Sequence, residues 1–423
     1  MTLLGNRLSP CPLLLSGAMT PPTTPPSRAF SNSFDVVIAG GGVIGSAVAY
    51  FLAAHPNFDG RICVVERDPS YQNGATGRSA GSIRQQFSTI ENIRMSQFGI
   101  TFLKTLGKTL EVDGERPDVQ LHEGGYLFLA SEAGLETLHA NHAAQTAEGA
   151  PVILLDREGL AARFPWLNLE GLAAGCFGTA EEGWFDPFAL LQAFRRKAVA
   201  LGVTYLADEV VGIVRRNGKV TGVTLGADER LDCGWLVNAS GIRARDVARM
   251  AGIDNLPVHP RKRQVFVFDC RERLSGCPLI IDPSGLYVRP EGNGYICGIS
   301  PGPDEPDPDC DDLEVDHSLF EERLWPLLAA RVPAFESIKP TGAWAGHYDL
   351  NSFDANAVLG PHPDLPNFLF ANGFSGHGLQ QSPAVGRALA EVIVDGGYSS
   401  LDLSRFGYER IAAQRPIAEK NVV

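Results

Sequence analysis

The sequence predicts an α/β protein in which a doubly wound sheet is interleaved with a β-rich, α+β portion. Two observations carry this. First, the apolar run FDVVIAG from residue 34 leads into the turn GGGVIG, then into VIGSAVAYFLAAH at helical spacing, then into a second apolar run, RICVVE. Strand, tight turn, helix and strand in that order open a doubly wound sheet. Second, this kind of pattern returns near 187–201 and in NFLFANGFSGHGLQQSPAVGRALAEVIV, with the strand-like runs QVFVFDC, PLIID, LYVRP and GYICGIS lying in between. The expected division is an arm at 1–33, one domain at 34–115, 186–256 and 350–423, and another at 116–185 and 257–349.

The remaining elements follow in order. Residues 1–33 hold no acid and contain TPPTTPPS, which cannot form a packed element, so the segment reads as a disordered arm or a targeting peptide. Location is accordingly expected to be cytoplasmic, with the mitochondrial matrix as the alternative. A helix is predicted around 91–106 and an alternating strand over VQLHEGGYLFLA, 119–130. Further on come a helix at 187–201, the strand VTYLA, and a hairpin turning at Asn217-Gly218. A helix is predicted at 317–331. The stretch 301–316, with eight acids and four prolines, reads as a solvated surface loop.

Composition narrows the function. A chain of 423 residues suits about two domains. Its net charge of −13 opposes binding to phosphate backbones, so nucleic acid is not an expected partner. No apolar run approaches the roughly 20 residues that cross a bilayer. The 8 cysteines form no C-x-x-C pair and fit a reducing compartment. His139 and His142 fall one helical turn apart without a third ligand, so no metal site is expected.

The strongest motif is Gly40-x-Gly42-x-x-Gly45 between strand and helix, with Glu66 ending the next strand. The first glycine makes the turn, the second admits a pyrophosphate to the helix N-terminus, and the third lets helix pack on strand. A carboxylate at Glu66 accepts hydrogen bonds from ribose hydroxyls. Dinucleotide binding follows, without a choice between NAD and FAD.

That choice comes from resemblance. GATGRSAGSIRQQFS, EGWFDP, LVNASG and GFSGHGLQQSPAVGRALAE resemble the D-amino-acid oxidase superfamily of FAD enzymes, in the branch with sarcosine oxidase and glycine oxidase. ERDPSY, PRKR, EPDPD and AWAGHYD further resemble a mitochondrial member of that superfamily linked to respiratory complex I assembly. The resemblance implies non-covalent FAD. Gly40, Gly42, Val43, Ile44, Gly45 and Glu66 would hold the ADP half, with Arg67 beside the adenosine, Val210 at adenine and Gly241 near the pyrophosphate. Ser79, Ala80 and Gly81 would line the route to the isoalloxazine. Gly373, Ser375, Gly376, Gly378, Leu379 and Gln380 would bring N–H groups and a helix N-terminus to the flavin, with His377 packing in that turn.

The implied reaction is oxidation of a secondary or N-methylated amino acid or amine. Candidate catalytic residues are Arg84, Tyr287, Arg289, His347 and Tyr348. Arg84 is expected either to pair with a substrate carboxylate or to form a structural ion pair, and Tyr287 and Arg289 to share one face of LYVRP. Sarcosine oxidase carries a lysine where this chain has Gln380 and a flavin-tethering cysteine where it has Gly346. A second lysine, beside the flavin, corresponds to apolar Ile296, so slow reaction with oxygen and a quinone or electron-transfer protein as acceptor are expected. The rival readings are an FAD-containing assembly factor and a 2-hydroxy-acid dehydrogenase.

Overall fold

Strand β1 (Ser33–Ala39), helix α1 (Val43–Ala53) and strand β2 (Ile62–Glu66) form where the apolar runs place them. Val36, Val37 and Ile38 have no exposure, the mark of a strand covered on both faces. The computed structural model describes residues 32–302, 304–417 and 419–420. In it, β1 and β2 are central strands of an eight-stranded sheet with the spatial order Val358–His362, Leu365–Asn372, Arg230–Asn238, β1, β2, Thr204–Ala207. From Leu365–Asn372 onward the pairing is parallel. The hairpin Val210–Arg216/Lys219–Leu225 extends it beside Arg230–Asn238. Asn217 and Gly218 turn that hairpin with φ of 50° and 72°, the left-handed pair a tight hairpin needs.

One face of this sheet is covered by α1, by helix α2 (Ile90–Thr109), and by the helices Pro187–Ala200 and Gly378–Val394. Aromatic rings join the first three: Tyr50 and Phe51 of α1 meet Phe102 of α2 and Phe194, and Phe102 stacks on Phe194 at 5.4 Å. The hairpin and the helix Ala244–Met250 bury the other face.

The second eight-stranded sheet runs Ile338–Asn351, Val258–Cys270, Gly294–Ile299, Leu286–Glu291, Leu279–Ile281, Tyr126–Ala130, Ala174–Gly178, Val152–Asp156. It is antiparallel except between Leu279–Ile281 and Tyr126–Ala130. Its strands come from 126–178 and 258–351, between the stretches that build the first sheet. The described residues from Ser33 onward form one compact unit. No helix among the described residues is long and apolar enough to cross a membrane.

Two expectations are corrected. The strand predicted over 119–130 begins only at Tyr126, because Gln120 and Gly125 take left-handed φ of 52° and 81° and interrupt extended pairing. The helix predicted at 317–331 is divided into a π-helical turn, Phe320–Leu324, and Trp325–Arg331. Pro326 lacks the N–H that would continue the ladder there. The acidic stretch 301–316 is the exposed loop expected, without helix or strand among its described residues, and the basic run PRKR pins it to the second sheet. Arg263 holds Asp307 through bonds of 2.9 and 2.8 Å, Arg261 and Arg245 hold Asp309, and Lys262 holds Asp312 at 2.6 Å. The acids and their partners lie more than 40 positions apart, beyond the reach of a local reading. Of the arm expected at 1–33, residues 1–31, with Cys11, lie outside the described residues, and Ser33 starts β1.

Candidate active site

A long cavity runs from the N-terminus of α1 to the inner face of the second sheet. Its first end is made by backbone. Gly40 has φ of +100°, and a Cβ there would lie 2.4 Å from the Ala239 carbonyl oxygen. A Cβ on Gly45 would lie 1.9 Å from the Gly40 carbonyl oxygen. Neither position admits a side chain. At Gly42 the nearest atom is Thr76 Oγ1 at 3.5 Å, so protein packing does not require glycine there. What a side chain at 42 would obstruct is the cavity.

Thr76 Oγ1 accepts the Val43 N–H at 3.2 Å, and the first turn of α1 carries no acid, which leaves its positive end facing the cavity. The Glu66 carboxylate accepts N–H bonds from Gly41 at 2.7 Å and Asp68 at 2.8 Å, so it shapes the turn as well as lining the cavity beside Arg67, Asp208 and Val210. A helix start with no acidic side chain to offset its positive end, a glycine facing empty space and a carboxylate at the strand end fit the ADP half of FAD.

The other end is made by side chains. Gly376 to Gln380 lie on the wall, where the helix Gly378–Val394 begins. The turn before it takes left-handed φ at Gly373, Ser375 and Gly376. Two neighbours on the second sheet hold it: the Tyr348 hydroxyl donates to the Ser375 carbonyl at 2.6 Å, and the Asp349 carboxylate accepts the Phe374 N–H at 3.1 Å. Burial pushes Asp349 up to about 6 and Tyr348 up to about 12.

Arg84 is 2% exposed and lines the cavity. Its guanidinium lies 4.2 Å from the centre of the Phe87 ring and 5.2 Å from that of Phe128. The Arg84 backbone N–H donates to Gln380 Oε1 at 2.8 Å, and the side-chain Nη2 stands 3.0 Å from His377 Nε2. A guanidinium only donates, so Nε2 is the acceptor and the imidazole proton sits on Nδ1. Burial, and then the Arg84 charge, hold His377 down at about 3, so this pair carries one positive charge at neutral pH.

The structure brings Arg84, Tyr287, His347 and Tyr348 to one cavity, together with Gly40, Gly42, Val43, Ile44, Glu66, Arg67, Ser79, Ala80, Val210, Gly241, Gly376, Gly378, Leu379 and Gln380. It parts Arg289 from Tyr287. Arg289 is off the wall, and its Nε and Nη2 donate to the Ala80 carbonyl at 3.2 and 2.6 Å, so it braces the loop from behind. Gly45, Gly81, Gly373 and Ser375 also lie behind the wall. Ile296 is fully buried opposite Val267 and Arg289 and does not reach the cavity, which removes the argument for slow oxygen reaction built on it. Gly346 lines the wall, and no cysteine among the described residues does.

Residue-by-residue reading missed Tyr126, Arg263 and Asp349 on the wall, and Glu182 behind it. Glu182 accepts the Gln85 N–H at 2.6 Å and a Gln86 Nε2–H at 2.8 Å, and burial raises it to about 7. The signals available were the EGWFDP and PRKR segments, which contain Glu182 and Arg263.

The comparisons agree with this geometry. The DAO family model, described as FAD dependent oxidoreductase, matches residues 35–392. FAD-dependent oxidoreductase domain-containing protein 1 of Xenopus laevis is 46% identical over 433 residues, covering 94% of this chain and 86% of that protein. The mitochondrial sarcosine dehydrogenase of Mus musculus is 25% identical over 423 residues, covering 94% of this chain and 44% of that protein. The crystal structure of L-proline dehydrogenase from P. horikoshii superposes with a TM-score of 0.80 at 26% identity, over 90% of this chain and 99% of that one. With the dinucleotide turn, the cavity and a family match over most of its length in agreement, the chain belongs to the DAO family of FAD-dependent oxidoreductases.

Proposed function

We propose that the protein oxidises a secondary or N-methylated amino acid or amine, with FAD held non-covalently. The observation that carries this reading is the continuity of one cavity from the Gly40–Gly45 turn to a far wall of Arg84, Tyr126, Tyr287 and Tyr348. In this reading the first sheet with its helices is the FAD-binding domain and the second sheet is the substrate domain. Two relatives support the substrate class by name, since proline and sarcosine are both secondary amino acids.

The chemistry that FAD supplies when bound is two-electron acceptance: the hydride on the substrate carbon next to nitrogen is taken up, and water hydrolyses the imine left behind. The chain supplies orientation. Arg84 presents a desolvated cation to a substrate carboxylate, where charge-assisted bonds are strong. The same positive charge disfavours protonation of a nearby amine, which keeps the nitrogen lone pair available. Leu279, Ile281 and the aromatic rings exclude water around the reacting carbon. The start of the helix Gly378–Val394 lies on the cavity wall, where its N–H groups would stabilise negative charge developing on bound FAD.

Anaerobic mixing of the holoprotein with N-alkyl amino acids, simple amines and 2-hydroxy acids tests the reading. Bleaching of the flavin band by the first class is expected, and bleaching by hydroxy acids alone would overturn it. A tight complex with another protein, with no reductant among the three classes, would favour the assembly-factor reading. Acid precipitation should leave the yellow colour in solution; a coloured pellet would refute non-covalent binding.

A further inference from the structure

Well beyond the family motifs, near the end of the chain, a buried carboxylate closes the back of the far wall. Glu419 is 9% exposed and accepts four bonds. Its Oε1 takes the Ser88 N–H and the Ser88 Oγ–H, each at 2.8 Å, and its Oε2 takes the Thr89 N–H and an Asn92 Nδ2–H, each at 3.1 Å. The segment around it is anchored on both sides. The Ile417 N–H donates to Asp354 at 3.0 Å, its carbonyl accepts from Asn356 at 2.7 Å, and the Lys420 N–H donates to Ser88 Oγ at 2.8 Å. Thr89 makes no side-chain cap for α2; Glu91 places one carboxylate in its first turn, and Glu419, from 330 residues away, brings a second to the Thr89 N–H.

The stretch held in this way is the one that carries Arg84. Phe87 lies directly before Ser88, its ring supports the Arg84 guanidinium at 4.2 Å, and it meets His377 edge-on at 5.0 Å. Asn92 ties the same cluster to the flavin-side helix, because it accepts a bond from Gln381 at 3.0 Å, next to the Gln380 that accepts the Arg84 N–H. We propose that Glu419 is a positioning residue for substrate binding: it fixes the Ser88–Thr89 turn, and through Phe87 it sets the Arg84 guanidinium on the cavity wall. The proposal rests on the reading that Arg84 meets a substrate carboxylate. Burial lowers the Arg84 pKa, and the Glu419 charge is among those that raise it again.

The four groups named above all donate to Glu419. In Glu419→Gln, either orientation of the amide therefore turns an NH2 group towards two donors. The holoprotein is titrated with anthranilate, a rigid amino carboxylate, and with aniline, its counterpart without the carboxylate, following the flavin absorption band. Arg84→Gln and Glu419→Gln should each weaken anthranilate binding by about tenfold or more, the loss of one charge-assisted contact, and leave aniline unchanged. Ser88→Ala, which removes one of the four donors, should shift anthranilate in the same direction by less. It decides the matter if Glu419→Gln does not fold with FAD, and parent-like binding by it would then overturn the inference.

Anthranilate binding at parental strength in Glu419→Gln, with a loss in Arg84→Gln, overturns the inference and leaves the carboxylate subsite standing. No loss in Arg84→Gln, or no anthranilate binding by the parent, overturns the subsite and the inference with it. Equal losses for anthranilate and aniline make Glu419 a structural residue and also overturn it.

Discussion

The two ends of the cavity are built from different materials. The end beside α1 is a backbone site, in which Gly40 and Gly45 are fixed by contacts with carbonyl oxygens and the helix start itself faces the cavity. The far end is a side-chain site in which Arg84, His377, Asp349 and Tyr348 are all shifted from their ordinary ionisation by burial. Steric limits govern the first end and desolvation governs the second. Substitutions at the first should therefore act on cofactor retention at any pH, whereas those at the second should act on charge and depend on pH.

The largest effect is expected at Gly45→Ala. The new methyl would press on backbone at 1.9 Å, with no flexible side chain to give way, so strand and helix must separate. Overpacking of this kind costs roughly 1–3 kcal/mol or more. The variant should retain no FAD and melt earlier even as apoprotein. Gly42→Ala is the control, because its methyl meets no protein atom closer than 3.5 Å. It should lose FAD while the apoprotein melts like the parent. An apoprotein destabilised equally by both would mean that Gly42 is a packing glycine and that the backbone end was misread.

At the far end, Glu182 gives the clearest pH signature. Its folded pKa, about 7, stands above the usual 4.5 because the carboxylate is fully buried. A carboxyl raised in this way favours the folded state below its unfolded pKa, and the advantage is lost as pH rises from about 4.5 to 7. The cost at the upper limit is on the order of 3 kcal/mol. Glu182→Gln removes the titration, so its melting temperature relative to the parent should climb between pH 4.5 and 7. His377, held down at about 3, acts with the opposite sign. It lowers stability as pH falls below about 6.5, in parent and variant alike. A difference between the two that stays flat with pH would show that Glu182 is not buried as a titrating carboxyl.

Two arginines sharpen the contrast further. Arg84 faces the cavity, whereas Arg289 grips the Ala80 carbonyl behind it. Each substitution by Gln removes charge-assisted bonds worth about 1.5–3 kcal/mol, but to different partners. Arg84→Gln should raise KM for an amino acid far more than for the corresponding decarboxylated amine. Arg289→Gln should loosen FAD and spare that ratio. The opposite assignment would exchange the two residues' roles.

The same contrast explains what was legible in the sequence. The turn from Gly40 to Gly45 could be read because part of what it requires is local: Gly40 takes φ of +100°, Gly45 packs on the Gly40 carbonyl, and Glu66 ends the very next strand; the Ala239 carbonyl that also confines Gly40 comes from far along the chain. Strand alternation put Arg289 on the same face as Tyr287, but not the choice of the guanidinium to bend onto Ala80, 209 residues earlier. Tyr126, Asp349 and Glu419 act through partners supplied by other elements, so no spacing within their own segments marks them. The hairpin at Asn217-Gly218 was legible for the same reason as the glycine turn, since its requirement is a local φ.

The smallest effect is expected where charges meet water. Asp309 gathers Arg245, His259 and Arg261, yet its side chain is 45% exposed, and so screening limits what it contributes. A pair that open to solvent is worth up to about 1 kcal/mol, and the Debye length shrinks to about 3 Å in 1 M salt. Asp309→Asn should lower the melting temperature slightly at low ionic strength and not at all in concentrated sodium chloride. Arg263, which pairs with Asp307 in the same strap, also lies on the cavity wall 4.6 Å from the centre of the Tyr348 ring. Loosening the strap should therefore speed FAD release at low salt towards the rate that the parent shows at high salt. Release from Asp309→Asn that matches the parent at every salt concentration would show that the strap holds only itself, and that the two ends of the cavity are closed by packing alone.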